Sequence, residues 1–404
     1  MAHSPSRRSF LLSTAAAVAA TPLATGAQKK KADAGGLSEG FIKRMPELME
    51  WANVPGLSFA LVKDGKLASS QGFGVVKAGE STPVGTDTIF PAASLSKPVV
   101  AYAILRMRDA KLIDIDRPLW SYLPYPDLPD VEHAKTMTAR HALSHSSGLQ
   151  NWRFGSEDKL QFAFKPGDSF QYSGEGFYYL LRVIEHITGR GFEEYMQDAV
   201  LRPLGMTSST YGWTPSVEAK MTWGHNGRMR PSEGFNAQRG RQMAATAEQI
   251  KKPLASWKHE DVAKAYSESN KDAPVFPNFL LPNSAGSLIT SVDQYAQFLG
   301  RLLKPRGDQL DLSADSRRDM LTTQTKINSA ISWGLGVGLE NYGGRTMIWH
   351  WGDNGNFKAF MMGDTGNGSG VVVFTNAQNG HKMWQRIVTE VMGPDHPASY
   401  FFMT

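Results

Sequence analysis

The chain reads as an α+β protein. One antiparallel sheet is built from both chain ends, helices pack on its faces, and a mostly helical domain is inserted between the halves. Two observations predict this. Two β-rich runs joined by Asp64-Gly65 lie near the start, and further runs at Trp333–Glu340, Thr346–His350, Phe357–Met362 and Gly370–Thr375 lie near the end. Between them are helical patches separated by Pro- and Gly-rich loops. A third is size, since 404 residues are enough to bury substantial cores. Hydrophobic residues at 41%, with 39 Gly and 22 Pro, describe an ordinary turn-rich globular chain and exclude disordered, collagenous and coiled-coil classes. With 43 Lys+Arg against 38 Asp+Glu, the formal charge of +5 is too small to argue for a nucleic-acid partner. The absence of cysteine excludes disulfides, a thiol nucleophile, iron–sulfur clusters and thiolate zinc sites.

Each element follows in order. Ser6-Arg7-Arg8-Ser9-Phe10-Leu11 sets paired arginines before the apolar run Leu11–Ala20, with small residues through Thr25-Gly26-Ala27. This pattern predicts a twin-arginine export signal over 1–27 and a periplasmic address. The run is shorter than the ~20 residues that span a bilayer, so no transmembrane segment is expected in the mature protein. Residues 28–40 read as a linker, followed by a helix over Leu37–Glu50. Gly56–Lys63 and Lys66–Val76 form a hairpin across Asp64-Gly65. Thr88-Ile89-Phe90 reads as a strand leading into a helix over Ser94–Arg108, whose Val99, Val100, Ala103, Ile104 and Met107 give it a wide apolar face. The expected organisation is an α/β sheet domain from 41–111 and 283–404, with 112–282 as the inserted domain. That insert should hold helices at Phe177–Ile187 and Phe192–Val200 and an exposed excursion or cap at Gln249–Pro282. A last apolar helix covers His381–Val391.

Several catalytic signatures are missing, including Gly-x-Ser-x-Gly, a Walker loop, a dinucleotide fingerprint and His-Glu-x-x-His. His141 and His145 could share a helix face, but no third ligand lies nearby, so they read as satisfied histidines at a helix end. Ser94-Leu-Ser-Lys97 is more informative. A serine hydroxyl is a weak nucleophile until its proton is removed, and a lysine one turn later can share its face. If Lys97 is desolvated, its pKa falls toward that of a useful base. Ser156 and Lys159 match the same spacing inside a polar loop, and a helix cap with a surface lysine would also explain Ser94 and Lys97. Position at the start of the buried helix favours Ser94.

An ordered set of motifs from about residue 40 to 390 resembles the serine hydrolases of the class C β-lactamase and penicillin-binding-protein group. That group includes D,D-peptidases, D-aminopeptidases and esterases. Ser94-Leu-Ser-Lys97 resembles its first box, and Asp114-Ile-Asp-Arg-Pro118 with Tyr122-Leu-Pro124 the stretch after it. His145-Ser-Ser-Gly148-Leu149 looks like the family signature, Phe164-Lys-Pro-Gly167 and Tyr172-Ser-Gly174 the second box, and His350-Trp-Gly352 the third. Pro203-Leu-Gly-Met206 and the stretch from Ala285-Gly286 to Phe298 match later segments. The resemblance implies a β-lactamase/transpeptidase-like fold, with no cofactor and no metal. It implies Ser94 as nucleophile, Lys97 and Tyr172 handling its proton, and backbone N–H groups of Ser94 and Asp353 as the oxyanion hole. A phenol near pKa ~10 helps only if nearby positive charge lowers it. His350, Trp351, Gly352 and Gly174 would border the substrate, which is a small peptide or an acyl compound.

Two departures bear on substrate. Gly174 stands where the family commonly has Asn, and His350 where true β-lactamases carry a lysine for the substrate carboxylate. The expected activity is therefore a serine peptidase or amidase acting on short linear peptides with D- or nonstandard residues. A broad carboxylesterase, a β-lactamase and an inactive binding protein follow in that order. Trp213, Trp223, Trp257, Phe276 and Phe279 are expected to supply aromatic surface for bulky substrates, and Lys251, Lys252 and Lys258 could meet a carboxylate.

Overall fold

The computed structural model describes residues 37–128, 131–155 and 159–403. The export segment 1–27 and most of the linker 28–40 lie outside the described residues. Helix α1 (Glu39–Ala52) starts at Ser38, whose hydroxyl accepts the Phe41 N–H, and ends at a left-handed Asn53. Strands β1 (Gly56–Lys63) and β2 (Lys66–Gly74) pair as expected, with Asp64 and Gly65 both at positive φ in the turn. The segment carrying Ser94 begins as a 3₁₀ turn over Ala93–Leu95 and continues as α2 (Ser96–Asp109). Further along come α3 (Gly174–Thr188), α4 (Phe235–Ile250), α5 (His259–Ser269) and α6 (Val292–Leu303). Strands β3 (Thr325–Lys326), β4 (Ile331–Trp333), β5 (Gly338–Tyr342), β6 (Arg345–Asp353), β7 (Lys358–Asp364) and β8 (Gly370–Thr375) follow, then α7 (His381–Met392).

These strands form one sheet in the order β2-β1-β8-β7-β6-β5-β4-β3, every paired register antiparallel. Leu57 faces Thr375 across the junction of the two chain ends. Alternation along each strand gives the sheet two buried faces. Leu57, Phe59, Leu61, Trp349, Phe360 and Val373 pack with Met45 and Met49 of α1 and Trp384 and Ile387 of α7. Ala60, Val62, Ile348, Met361 and Phe374 belong instead to the core of α2, α6 and the inserted helices.

Two expectations need correction. The run Trp333–Glu340 is two strands, separated by a turn in which the Gly334 N–H donates to the Val337 carbonyl. Gln249–Pro282 is not a bare excursion. It contains α5, with Val262, Ala265 and Tyr266 buried, and Trp257 is wholly inside the core. Sparse apolar residues among charges and prolines hid that helix, because three buried side chains suffice to dock it.

Candidate active site

Ser94 lies in the turn that leads from the short strand Phe90–Pro91 into α2, and Ala93 before it holds φ +50°. A non-glycine residue in that region is strained, and the surroundings pin it. The Ala92 N–H donates to Leu288 O at 2.8 Å, the Ser96 hydroxyl donates to Ala93 O at 2.6 Å, and the phenols of Tyr295 and Tyr211 donate to the Leu95 and Ser96 carbonyls. Ser94 itself is half-buried, whereas Lys97 is fully inside.

Lys97 Nζ donates to Ser94 Oγ at 3.1 Å and to the Ala285 carbonyl at 2.8 Å. It lies 4.7 Å from the Tyr172 ring centre and 5.6 Å from that of Phe177. Neither hydrogen bond goes to a carboxylate, and burial pulls its pKa well below the usual lysine value. Tyr172 does not meet the condition of a pKa lowered by nearby positive charge. Burial pushes its phenol upward, and the nearby Ser94 hydroxyl offsets only part of that. No cation lowers it, because the same burial disfavours charge on Lys97. The Tyr172 oxygen is buried and completes no hydrogen bond to a described residue.

Two histidines flank this phenol. His350 lies on β6, on the sheet face that carries Ile348, and its Nδ1 donates to the Trp351 carbonyl at 2.6 Å. Its Nε2 is therefore the lone-pair nitrogen, buried and unpartnered. Burial, helped by Lys97, holds its pKa down to about 3, so it is neutral and supplies no fixed positive charge. His145, read from the sequence as a satisfied histidine at a helix end, also lies here. Its Nδ1 accepts the Ser173 N–H at 3.0 Å, its ring centre is 4.1 Å from that of Tyr172, and its Nε2 is also buried and unpartnered. Burial, then Lys97 and His350, depress its pKa well below the usual value. His141, by contrast, is a helix-cap residue whose Nδ1 accepts the Thr138 N–H at 3.2 Å. Among the described residues no cluster of three His, Cys, Asp or Glu could hold a metal.

The third box approaches Ser94 along β6. Strand β5 pairs only Arg345 to Trp349, so His350 to Asp353 are paired by β7 alone and their other edge faces the Ala93–Leu95 turn. A Cβ on Gly352 would lie 2.4 Å from the Ala92 carbonyl oxygen and 3.1 Å from the Ala93 Cβ, so only glycine permits this approach. The Asp353 carboxylate accepts from Lys358 Nζ at 2.6 Å, leaving it neutralised. Trp351 points to the opposite sheet face and packs on Tyr172 and Phe401 at 4.7 and 5.3 Å between ring centres. It backs Tyr172 rather than lining the cleft.

Gly174 opens α3, its N–H bonding Asn151 Oδ1 at 2.9 Å. A Cβ there would fall 2.3–2.5 Å from three atoms of the Trp152 indole. The side chain that the second box commonly carries is thus replaced by a neighbouring ring. Beside it a cleft of about 430 Å³ is lined by Trp152, Phe154, Phe279, Asn278, Asn283 and Asp353, among others. Of the aromatic residues expected to serve the substrate, only Phe279 reaches this cleft. Trp257 is core, Trp213 packs against Gly240, Trp223 lies under Lys77 and Phe276 under Arg153. Lys252 is paired with Asp261 at 2.6 Å, and Lys251 borders a different cavity. A further cavity of about 580 Å³ opens near Glu193, whose carboxylate is satisfied by Thr210, Gln197 and the Tyr211 and Gly212 amides.

With this geometry in place, comparisons with known proteins fix the family. The "Beta-lactamase" family model matches residues 41–390. Penicillin-binding protein 4 of Amycolatopsis lactamdurans is 26% identical over 201 residues, covering 46% of this chain and 52% of that protein. Protein flp of Staphylococcus aureus strain N315 is 20% identical over 363 residues, covering 85% of this chain and 64% of that protein. The chain thus spans between half and two thirds of these relatives' lengths. A penicillin-binding protein homologue from Pyrococcus abyssi superposes with a TM-score of 0.67 at 21% identity, over 90% of this chain and 79% of that one. A β-lactamase/D-alanine carboxypeptidase from Pseudomonas syringae gives 0.67 at 15% identity, over 88% and 98%. SurE solved with D-Leu gives 0.61 at 20% identity, over 87% and 75%. At these identities the superpositions speak for the fold, and the family model speaks for descent: the chain belongs to the beta-lactamase family.

Proposed function

We propose that the protein is a periplasmic serine hydrolase that works through an acyl-enzyme on Ser94 and cleaves amide bonds of short linear peptides containing D- or nonstandard residues. The observation that carries the reading is Lys97. It is a buried amine, depressed in pKa, 3.1 Å from the Ser94 hydroxyl and without a carboxylate among its hydrogen bonds. Neutral Lys97 takes the Ser94 proton as Oγ attacks the substrate carbonyl. The Ser94 and Asp353 backbone N–H groups receive the oxyanion. Tyr172, kept as a neutral phenol, donates to the leaving amine and recovers its proton through Lys97. Water then attacks the acyl-serine, Lys97 takes the water's proton and passes it to Ser94 Oγ as the acyl–oxygen bond breaks, and the acid leaves.

Support for a peptide comes from the export pattern at Arg7 and Arg8 and from the names of the structural neighbours, a D-alanine carboxypeptidase and a protein bound to D-Leu. A neutral His350 argues against the β-lactamase reading, because no fixed cation stands where a lactam carboxylate would dock. The uncharged aromatic cleft also suits a neutral acyl ester, which makes the carboxylesterase the second reading. The test is product mass spectrometry of wild type and Ser94→Ala with linear peptides of mixed chirality, acyl esters and a penicillin. Ser94-dependent peptide fragments support the proposal. Ester cleavage with every peptide intact replaces it by the esterase, and a wild type inert to all of these and to a serine-directed phosphonate leaves a binding protein.

A further inference from the structure

The place of Trp152 has a consequence for the substrate. Its indole occupies the space that a side chain at position 174 would fill. It is also clamped from both sides. Asn151 takes the Gly174 N–H on its side-chain oxygen at 2.9 Å and the Gly174 and Glu175 N–H groups on its carbonyl at 3.1 Å. Arg153, on the other side, donates to Glu175 at 2.9 and 3.2 Å and to Asp127 at 2.9 Å. Arg153 and Glu175 are both buried, so the loop is fixed to the start of α3 at the two residues bracketing Trp152. Rigid anchoring of this kind costs a ligand little ordering entropy.

The surface that Trp152 presents is aromatic, with Phe154 and Phe279 beside it, and its lining includes Asp353, the neighbour of the Gly352 that abuts Ala92 and Ala93. Among the described residues no lysine or arginine lines the cleft, and the one carboxylate there is paired with Lys358. Around the rings stand carboxamides of Asn236, Asn278 and Asn283. Those of Asn236 and Asn283 donate to Ser287 O and Pro277 O, whereas the Asn278 side-chain oxygen is buried and has no hydrogen-bond partner.

We propose that Trp152 is a specificity-determining residue. It builds a subsite for a large, uncharged, preferably aromatic side chain on the acyl portion of a peptide-like substrate. This rests on Ser94 being the nucleophile, and the test separates the two. Three peptidyl diphenyl phosphonates are prepared that differ only in the side chain next to phosphorus: methyl, benzyl and carboxymethyl. Ser94 attacks phosphorus, a phenoxide leaves, and the rate of covalent mass gain is read by intact-protein mass spectrometry.

For wild type the benzyl probe should react at least about 10-fold faster than the methyl probe, the scale expected for burying a phenyl group, and the carboxymethyl probe slowest. Trp152→Ala should bring the benzyl-to-methyl ratio to within about 3-fold, and Trp152→Phe should retain most of it. The ratio is internal to each variant, so a fall in overall rate does not disturb it. Phe279→Ala reads the same subsite if Trp152→Ala fails to fold. Equal benzyl and methyl rates in wild type, a preference for the carboxymethyl probe, or a ratio unmoved by these variants overturns the subsite while leaving Ser94 as nucleophile. A folded wild type that no probe labels overturns both.

Discussion

At the scale of single residues, the proposed site depends on excluding charge. Lys97 must be neutral to act as a base, and burial is the physical means, since desolvation penalises the ammonium and leaves the amine untouched. The sign of the pH dependence follows. Activity should rise with pH as Lys97 loses its proton, with the limb lying below the ordinary lysine range, and Lys97→Arg should abolish it because a guanidinium stays protonated. The log of kcat/KM against pH checks this, and an acid limb unchanged in Lys97→Arg would remove Lys97 as the base. The same burial opposes stability. Between the depressed folded pKa and the unfolded value the unfolded chain binds more protons, so the cost is relieved as pH rises through that window. Lys97→Met should therefore lose labelling of Ser94 by at least about 100-fold. Yet urea denaturation should find it at least as stable as wild type at pH 7, because the buried amine's desolvation is removed. Gly352 is constrained by geometry rather than charge. Gly352→Ala should cut kcat by at least about 100-fold, since its methyl would force β6 away from the Ala92 carbonyl and move an oxyanion donor. A variant with wild-type kcat would dissociate β6 from the reaction.

At the scale of elements, one carboxylate ties three helices together. Glu185, near the end of α3, accepts the Phe192 N–H at 3.2 Å and the His259 N–H at 3.1 Å, so it caps the short helix Phe192–Met196 and α5 at once. Burial outweighs those bonds and pushes its pKa up to about 7 from 4.5. Between those values the folded chain holds a proton that the unfolded chain releases, so stability falls as pH rises from 4.5 through 7. The drop contributed by this group is on the order of 3 kcal/mol. Urea midpoints at pH 5 and pH 8 should show it, and Glu185→Gln, which cannot titrate, should lose that part of the slope. An identical slope in the variant would assign the effect elsewhere. Such couplings mark what was legible in the chain and what was not. The β1–β2 hairpin, α2 and the pairing of Ser94 with Lys97 could be read because turn residues, apolar spacing and one helical turn are local. Tyr172 and His350 were reachable only through the order of the motifs. Trp152 was not reachable, because a glycine at 174 reads as a loss until residues 151–153 are seen folded over it. His145 was visible as part of its motif, but its contact with Tyr172 depends on the left-handed backbone it adopts, φ +53°.

At the scale of the whole molecule, the core crosses the boundary expected between 41–111 with 283–404 and the insert 112–282. One continuous apolar cluster runs from Ala60, Val62, Met361 and Phe374 on the sheet, through Val99–Leu105 of α2, to Leu143, Phe177, Leu180, Tyr211 and Leu281 of the insert. Neither part could keep its buried face covered without the other, and each supplies part of the site. Ser94 comes from the Ala93–Leu95 turn and Lys97 from α2, Trp152 and Tyr172 from the 112–282 stretch, and His350 to Asp353 from β6. A shared core makes unfolding cooperative, whereas separate cores would let the insert open first and take Tyr172 with it. The expectation is a single urea transition in which far-UV circular dichroism, tryptophan fluorescence and the rate of Ser94 labelling share one midpoint. The probes are independent, since fluorescence includes the core residues Trp257 of the insert and Trp333 and Trp349 of the sheet, while labelling reports only the site. Loss of labelling at lower urea than loss of helix would show that the insert opens alone, and the shared cluster would then not be what joins the halves.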